Sequence, residues 1–195
     1  MIVVSHVTCG KELIGGTEQM DKLLLHACCA PCSSAVIDEY SKYFDITLYY
    51  YNPCITDETE YYKRFDELIR LGNLYNVPVV IADFYPEEYY NACSSLSNEP
   101  EGGKRCKVCI SQRLKGAAIY AKNNGFGYFS TTLTISPYKD SAVINSIGTA
   151  VGGSAGVMYM PFDFGYLFPR SLQLCEKYNL YQQNYCGCEY SKNEI

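Results

Sequence analysis

The residues able to do chemistry come in three short groups. Cys28, Cys29 and Cys32 fall within five positions, Cys106 and Cys109 are one helical turn apart, and Cys186 and Cys188 flank Gly187 near the end of the chain. Thiolates are nucleophiles and soft metal ligands, and helix N-termini stabilise them. Seven thiols exceed the four that one tetrahedral zinc takes. A four-thiolate iron–sulfur cluster with a second metal or a redox pair would use all of them. A thioredoxin-like reading also exists, because Cys29-Ala30-Pro31-Cys32 follows a strand and precedes a helix. It leaves the other two groups idle. A zinc-stabilised RNA-binding module is a third reading. Cys54, Cys93 and Cys175 are isolated and read as buried filler. His26 could be a ligand or a hydrogen-bonded core residue. Cys9 and His6 receive no role.

Compartment bears on these thiols. The chain has 195 residues, 48% of them hydrophobic, which suffices for one domain with a full core. No run approaches the roughly 18 apolar residues of a membrane span, and Met1–Gln19 lacks a basic segment followed by an apolar one. A cytoplasmic protein with no membrane partner is expected, and a reducing compartment favours metal or redox chemistry over an odd set of eleven cysteines paired as disulfides. The net charge of −5 gives no general attraction to nucleic acid. Locally, Gly102 to Lys122 carries Lys104, Arg105, Lys107, Arg113, Lys115 and Lys122 with no acidic residue. That stretch is either a solvated helix face or a phosphate-binding patch. Twenty tyrosines without tryptophan supply packing surface first and stacking faces second. Neither a P-loop nor a dinucleotide glycine fingerprint is present.

The elements that must hold these residues alternate. Apolar periodicity predicts strands over 23–27, 46–51, 77–81 and 126–130. It predicts helices over 33–43, 58–75, about 86–95, 104–123 and 171–179, with another begun by Ser136-Pro137 and ending at Gly152-Gly153. Ser33 and Ser34 are read as caps of the first helix, and Asn76 as the end of the second. Such alternation implies a single α/β domain, a mainly parallel sheet flanked by helices, over residues 21–195 after an N-terminal extension over 1–20. The first cysteine group then lies in a strand-to-helix turn at the carboxyl edge, where open parallel sheets hold ligands.

In order along the chain stand Leu-His-Ala-Cys28-Cys29-Ala-Pro, Tyr51-Asn52-Pro53, Glu60-Tyr61-x-x-Arg64, Arg105-Cys106-x-x-Cys109, Thr131-Thr132-Leu133, Ser136-Pro137-Tyr138 and Tyr185-Cys186-Gly187-Cys188. This series, from about residue 22 to the C-terminus, resembles the QueH-type epoxyqueuosine reductases. The resemblance implies a nucleotide-hydrolase-like (HUP, Rossmann-like) fold with a cysteine-containing tail closing the site. It implies reduction of epoxyqueuosine to queuosine at the wobble position of tRNA, the last step of queuosine biosynthesis. The cofactors implied are a [4Fe-4S] cluster on Cys28, Cys29, Cys106 and Cys109 and a second mononuclear iron on Cys186 and Cys188, with Cys32 a third ligand. Cys32 and Tyr138 are the candidate catalytic residues. Lys104, Arg105, Arg113, Thr131 and Thr132 are the candidates for binding the tRNA that carries epoxyqueuosine, and an electron donor of unspecified identity is required. The sequence departs from the family pattern at Cys54 (usually Asn), Ser141 (commonly His), and Gly165 and Gln182 (usually Arg).

Overall fold

The computed structural model describes residues 20–192. The proposed extension over 1–20, except Met20, lies outside the described residues, as do Cys9 and His6. Five strands, β1 (Asp21–His26), β2 (Phe44–Tyr50), β3 (Val79–Ile81), β4 (Tyr128–Thr131) and β5 (Met158–Tyr159), form one sheet in the order β3-β2-β1-β4-β5, every neighbouring pair parallel. The helices are α1 (Ala30–Tyr40), α2 (Glu58–Tyr75), α3 (Pro86–Cys93), α4 (Lys104–Asn123), α5 (Ser141–Ala155), α6 (Phe168–Tyr178) and the short α7 (Glu189–Lys192). The single α/β domain with a parallel sheet is therefore as the sequence implied.

The central strand shows why the layers form. Leu23 and Leu25 point into a core shared with Val36, Leu68 and Leu174, from α1, α2 and α6. Leu24 points the other way, into a core with Leu114, Ala117 and Ile144, from α4 and α5. All three leucines are fully buried. A strand apolar on both faces needs helices on both sides, which is the parallel-sheet condition.

From β1 the chain winds outward one way through β2 and β3, then crosses back to β4 and β5 on the other side. The order reverses between β1 and β4, where the loops leaving the two carboxyl ends diverge and open a crevice. Cys28 and Cys29 follow β1 at this place, and Thr132 follows β4.

The element boundaries differ from expectation in two places that matter. Helix α1 begins at Ala30 with Cys29 as its N-cap, so Cys32 lies in its first turn. Ser33 and Ser34 are interior rather than capping, their hydroxyls donating to the carbonyls of Cys29 (2.8 Å) and Pro31 (2.9 Å). Pro31, acceptable at a helix start because it lacks only a donor that is unused there, was the stronger signal. Helix α5 begins at Ser141, capped by the Asp140 carboxylate on the Val143 amide at 3.0 Å. Ser136-Pro137 instead ends a 3-10 turn, Thr132–Ile135, and leads Tyr138 and Lys139 past the crevice. Strand β5 and helix α7, of two and four residues, are too short to show periodicity. Asn76 closes α2 in the left-handed conformation at φ 54°, as expected.

Candidate metal and substrate site

The Cys28, Cys29 and Cys32 sulfurs lie within 4.8 Å of one another. Helix geometry brings this about. The extended backbone of Cys29 turns the chain from strand to helix, and Cys32 returns to the same face one turn later. The Cys28 amide donates to the Thr132 hydroxyl at 3.3 Å, and its sulfur lies 3.5 Å from that oxygen. The turn after β4 thus supports the turn after β1.

Cys106 and Cys109 occupy the first turns of α4. The Gly102 amide donates to the Cys106 sulfur at 3.2 Å. The Tyr51 ring packs directly on Gly116 of this helix, where an added Cβ would sit 2.3 Å from it. Residues 51–52 are a junction. Asn52 donates from Nδ2 to the Ala27 carbonyl at 3.0 Å and accepts the Arg113 guanidinium on Oδ1. The β1 end, the β2 loop and α4 are therefore joined through one buried amide.

Cys186 and Cys188 reach the crevice on a tail fastened by α2. Arg64 donates to the carbonyls of Cys186 (3.1 Å) and Tyr185 (3.3 Å) and ion-pairs with Glu60 at 2.7 Å. The Glu60 carboxylate also accepts the Tyr181 hydroxyl at 3.0 Å. Glu60 and Arg64, one turn apart on α2, act as the clasp for the tail.

Two adjoining cavities result. One, of about 210 Å³, is walled by Cys106, Cys109, Cys186 and Cys188. The other, of about 440 Å³, is walled by Cys28, Cys32, Gln183 and Cys186. Glu101, Arg113, Tyr138, Lys139 and Cys186 border both. Six of the seven grouped thiols therefore line these adjoining cavities, and Cys29 contacts one of the six, Cys28, at 3.7 Å.

Hydrogen bonds between neighbouring thiols, with nearby charge, set the thiols' ionisation. Arg113 is buried, and among the described residues no carboxylate pairs with it. Burial opposes its charge, and the lowered thiols of Cys54, Cys28 and Cys186 favour it. The Cys28 thiol is held well below its usual range by hydrogen bonds from Cys29 and Cys32, helped by Arg113. Cys186 is held low by Cys188, then by Lys139, whose Nζ lies 3.9 Å from its sulfur. Cys29 is pushed up to about 12, chiefly because Cys28 takes the neighbouring negative charge. Cys32 and Cys109 are raised for similar reasons, by Cys28 and Cys54 respectively. In the Cys29–Cys32 pair both thiols thus run opposite to the lowered nucleophile of a thioredoxin-like dithiol.

His26 is a core residue here. It is fully buried, its Nε2 donating to the Tyr51 carbonyl (3.1 Å) and its Nδ1 accepting the Thr131 hydroxyl (2.8 Å). Burial, with Arg113 nearby, lowers its pKa to about 3.

The proposed tRNA-binding residues separate by location. Lys104 is exposed. Arg105 is 2% exposed and donates to the carbonyls of Leu96, Ser97 and Glu99, bracing the loop before α4. Arg113 lies at the base of the cavities, while Thr131 and Thr132 are buried against His26 and Cys28. Tyr138 is 87% exposed on the rim.

Sequence reading passed over Lys139, Gln183 and two of the three isolated cysteines. Gln183 donates from Nε2 to the Cys29 sulfur at 2.9 Å. Cys54 lies beside Cys109, each altering the other's ionisation, and Cys175 borders the larger cavity. Cys93 faces the Arg105 carbonyl instead. A lysine directly after Ser136-Pro137-Tyr138 was the one available signal for Lys139.

The fold and site define a doubly wound α/β protein with a thiol-lined crevice, in which the Cys28, Cys29 and Cys32 sulfurs are close enough together to hold a metal ion. The family model described as "Epoxyqueuosine reductase QueH" matches residues 23–194. The chain is similar to the protein of that name from Streptococcus pyogenes serotype M1, at 40% identity over 87% of this chain and 69% of that protein. It is also similar to those of Acinetobacter baylyi (37%, covering 89% and 82%) and Thermotoga maritima (33%, covering 88% and 91%). The chain belongs to the QueH epoxyqueuosine reductase family, whose members are oxidoreductases with a role in queuosine biosynthesis.

Proposed function

We propose that this chain reduces the epoxide of epoxyqueuosine at the tRNA wobble position to the alkene of queuosine, through a [4Fe-4S] cluster on Cys28, Cys29, Cys106 and Cys109 and an adjacent iron on Cys186, Cys188 and Cys32. The observation that carries it is that six of the seven grouped thiols line two joined cavities around the buried cation Arg113, with the seventh, Cys29, in contact with Cys28. Such a donor set fits an anionic iron–sulfur group better than it fits one zinc. When bound, the metals would supply single electrons and a Lewis acid for the epoxide oxygen.

The balance is two electrons and two protons per epoxide, giving the alkene and one water. The electrons come from a donor protein or reductant outside the chain. The protein's own residues do the rest. Tyr138 orients the base or passes a proton in this reading, which its position on the cavity rim supports. Lys139 holds an ammonium proton on the wall shared by both cavities. Lys104 offers an exposed cation to the RNA backbone, while Arg105 braces the loop beside it. Thr132 keeps Cys28 in place, and Thr131 does the same for His26. Residues 21–195 act as one metalloenzyme domain.

The test is single-turnover reduction. Anaerobically reconstituted protein, with a chemical reductant and epoxyqueuosine-containing tRNA, is expected to yield queuosine by nucleoside mass spectrometry. Persistence of the epoxide with folded protein carrying about five irons would overturn the proposal.

A further inference from the structure

The tail contributes more than Cys186 and Cys188. Gln183 lies between two fixed points. Tyr181 is held on one side by its amide on Glu67 at 3.0 Å and its hydroxyl on Glu60, and Tyr185 on the other by Arg64. From this anchored segment the Gln183 side chain reaches across the larger cavity's wall, and Nε2 donates to the Cys29 sulfur at 2.9 Å. Its Oε1 is buried and, among the described residues, has no hydrogen-bond partner. The amide is thus oriented with its N–H on sulfur, although its carbonyl gains nothing from that arrangement.

An iron-bound cysteine sulfur carries lone pairs and no proton, so it can only accept. The N–H end of a glutamine is the end that can meet it. A hydrogen bond to a cluster sulfur stabilises the extra negative charge of the reduced state and raises the reduction potential. We infer that Gln183 is a positioning residue that donates a hydrogen bond to the Cys29 ligand sulfur and sets the cluster's potential, so that a seated tail makes the cluster easier to reduce. This rests on the cluster assignment proposed above. Because α2 holds the tail, the same contact links the seating of Cys186 and Cys188 to the electron affinity of the cluster.

The experiment compares full-length reconstituted wild type with Gln183→Leu and Gln183→Glu. Iron and sulfide content and the absorbance near 400 nm report the cluster. Its midpoint potential comes from a redox titration followed by electron paramagnetic resonance. Wild type and both variants are expected to carry equal iron. The potential should shift downward in Gln183→Leu and further in Gln183→Glu, where an anion replaces the donor. Equal potentials in wild type and Gln183→Leu would overturn the inference while leaving the cluster reading intact. A wild type with no cluster would overturn both. Should Gln183→Leu fail to load iron, Gln183→Glu decides alone, since its size is conserved and an unmoved potential there is equally fatal.

Discussion

The Lys139 ammonium stands 3.9 Å from the Cys186 sulfur, on the wall common to both cavities. The two groups face each other across 47 positions of sequence, and each favours the other's charge. Cys186 is the largest influence raising Lys139, while Cys188, Lys139, Arg113 and Arg64 together lower Cys186. In Lys139→Met the cation is gone and the apolar stem remains, so Cys186 should ionise at higher pH. Alkylation of Cys186 in metal-free protein, resolved by peptide mass spectrometry, should run several-fold slower at pH 7 than in wild type, with its pH midpoint moved up. An unchanged midpoint would show that Cys188 and the arginines suffice.

His26 predicts a pH dependence of stability. Its pKa is about 3 in the fold against 6.5 when unfolded, because burial disfavours the imidazolium. Above the unfolded value both states are neutral, and His26 makes no difference to pH dependence. As the pH falls below 6.5 the unfolded chain takes up a proton that the fold refuses. Stability should therefore drop by about 1.4 kcal/mol per pH unit, continuing down to about pH 3. Between pH 7 and 5 that amounts to about 2 kcal/mol. Urea unfolding of metal-free wild type and His26→Gln at both pH values isolates the effect. The variant should be less stable at pH 7 yet lose less on acidification.

Arg64 carries the seating of the tail. Its side chain is 3% exposed, pairs with Glu60, and donates to two tail carbonyls. Arg64→Leu leaves the Glu60 carboxylate, 11% exposed, without its cation. Breaking a buried pair in this way costs about 3 kcal/mol. Loss is expected in two readouts, global stability in urea and amide protection across residues 181–192 by hydrogen exchange. Exchange in α5, which Arg64 does not bond, should change only as far as global stability requires.

Much of this arrangement was legible in the sequence because it is encoded by local rules. Leu23–Leu25, apolar on consecutive positions, announces a strand buried on both faces, and the cysteines after it announce the carboxyl edge. Helix α2 was bounded at 58–75, where acidic first-turn residues and Asn76 mark its ends. The caps that failed, Ser33 and Ser136, failed because a hydroxyl near a helix start can equally bond back into the helix or close a turn. What could not be read were relationships with large sequence separation. Gln183 and Cys29 are 154 positions apart, and Arg113 and Asn52 are 61 apart. Neither pair has a spacing that periodicity would reveal. Arg105 and Arg113 show the limit of counting charge. Both belong to a basic stretch, yet both are buried, one bracing a loop and the other facing thiols.

Cys32 and Cys93 provide the sharpest contrast among the thiols. Cys32 lies within 4.8 Å of Cys28 and Cys29 and borders the larger cavity with Cys186. Cys93, at the end of α3, is fully buried and faces the Arg105 carbonyl at 3.9 Å. If Cys32 completes the ligand set of the second iron, Cys32→Ala should reconstitute with about four irons rather than five, and keep the cluster absorbance near 400 nm. Cys32→Asp replaces one anionic ligand with another and should recover the fifth iron in part. Cys93→Ala should load like wild type, and the small volume removed should cost about 1 kcal/mol in urea unfolding. Iron and sulfide analysis of the three variants checks all of this in one series. A Cys32→Ala protein that still binds five irons would remove Cys32 from the site, and one that loses all colour would place it on the cluster itself.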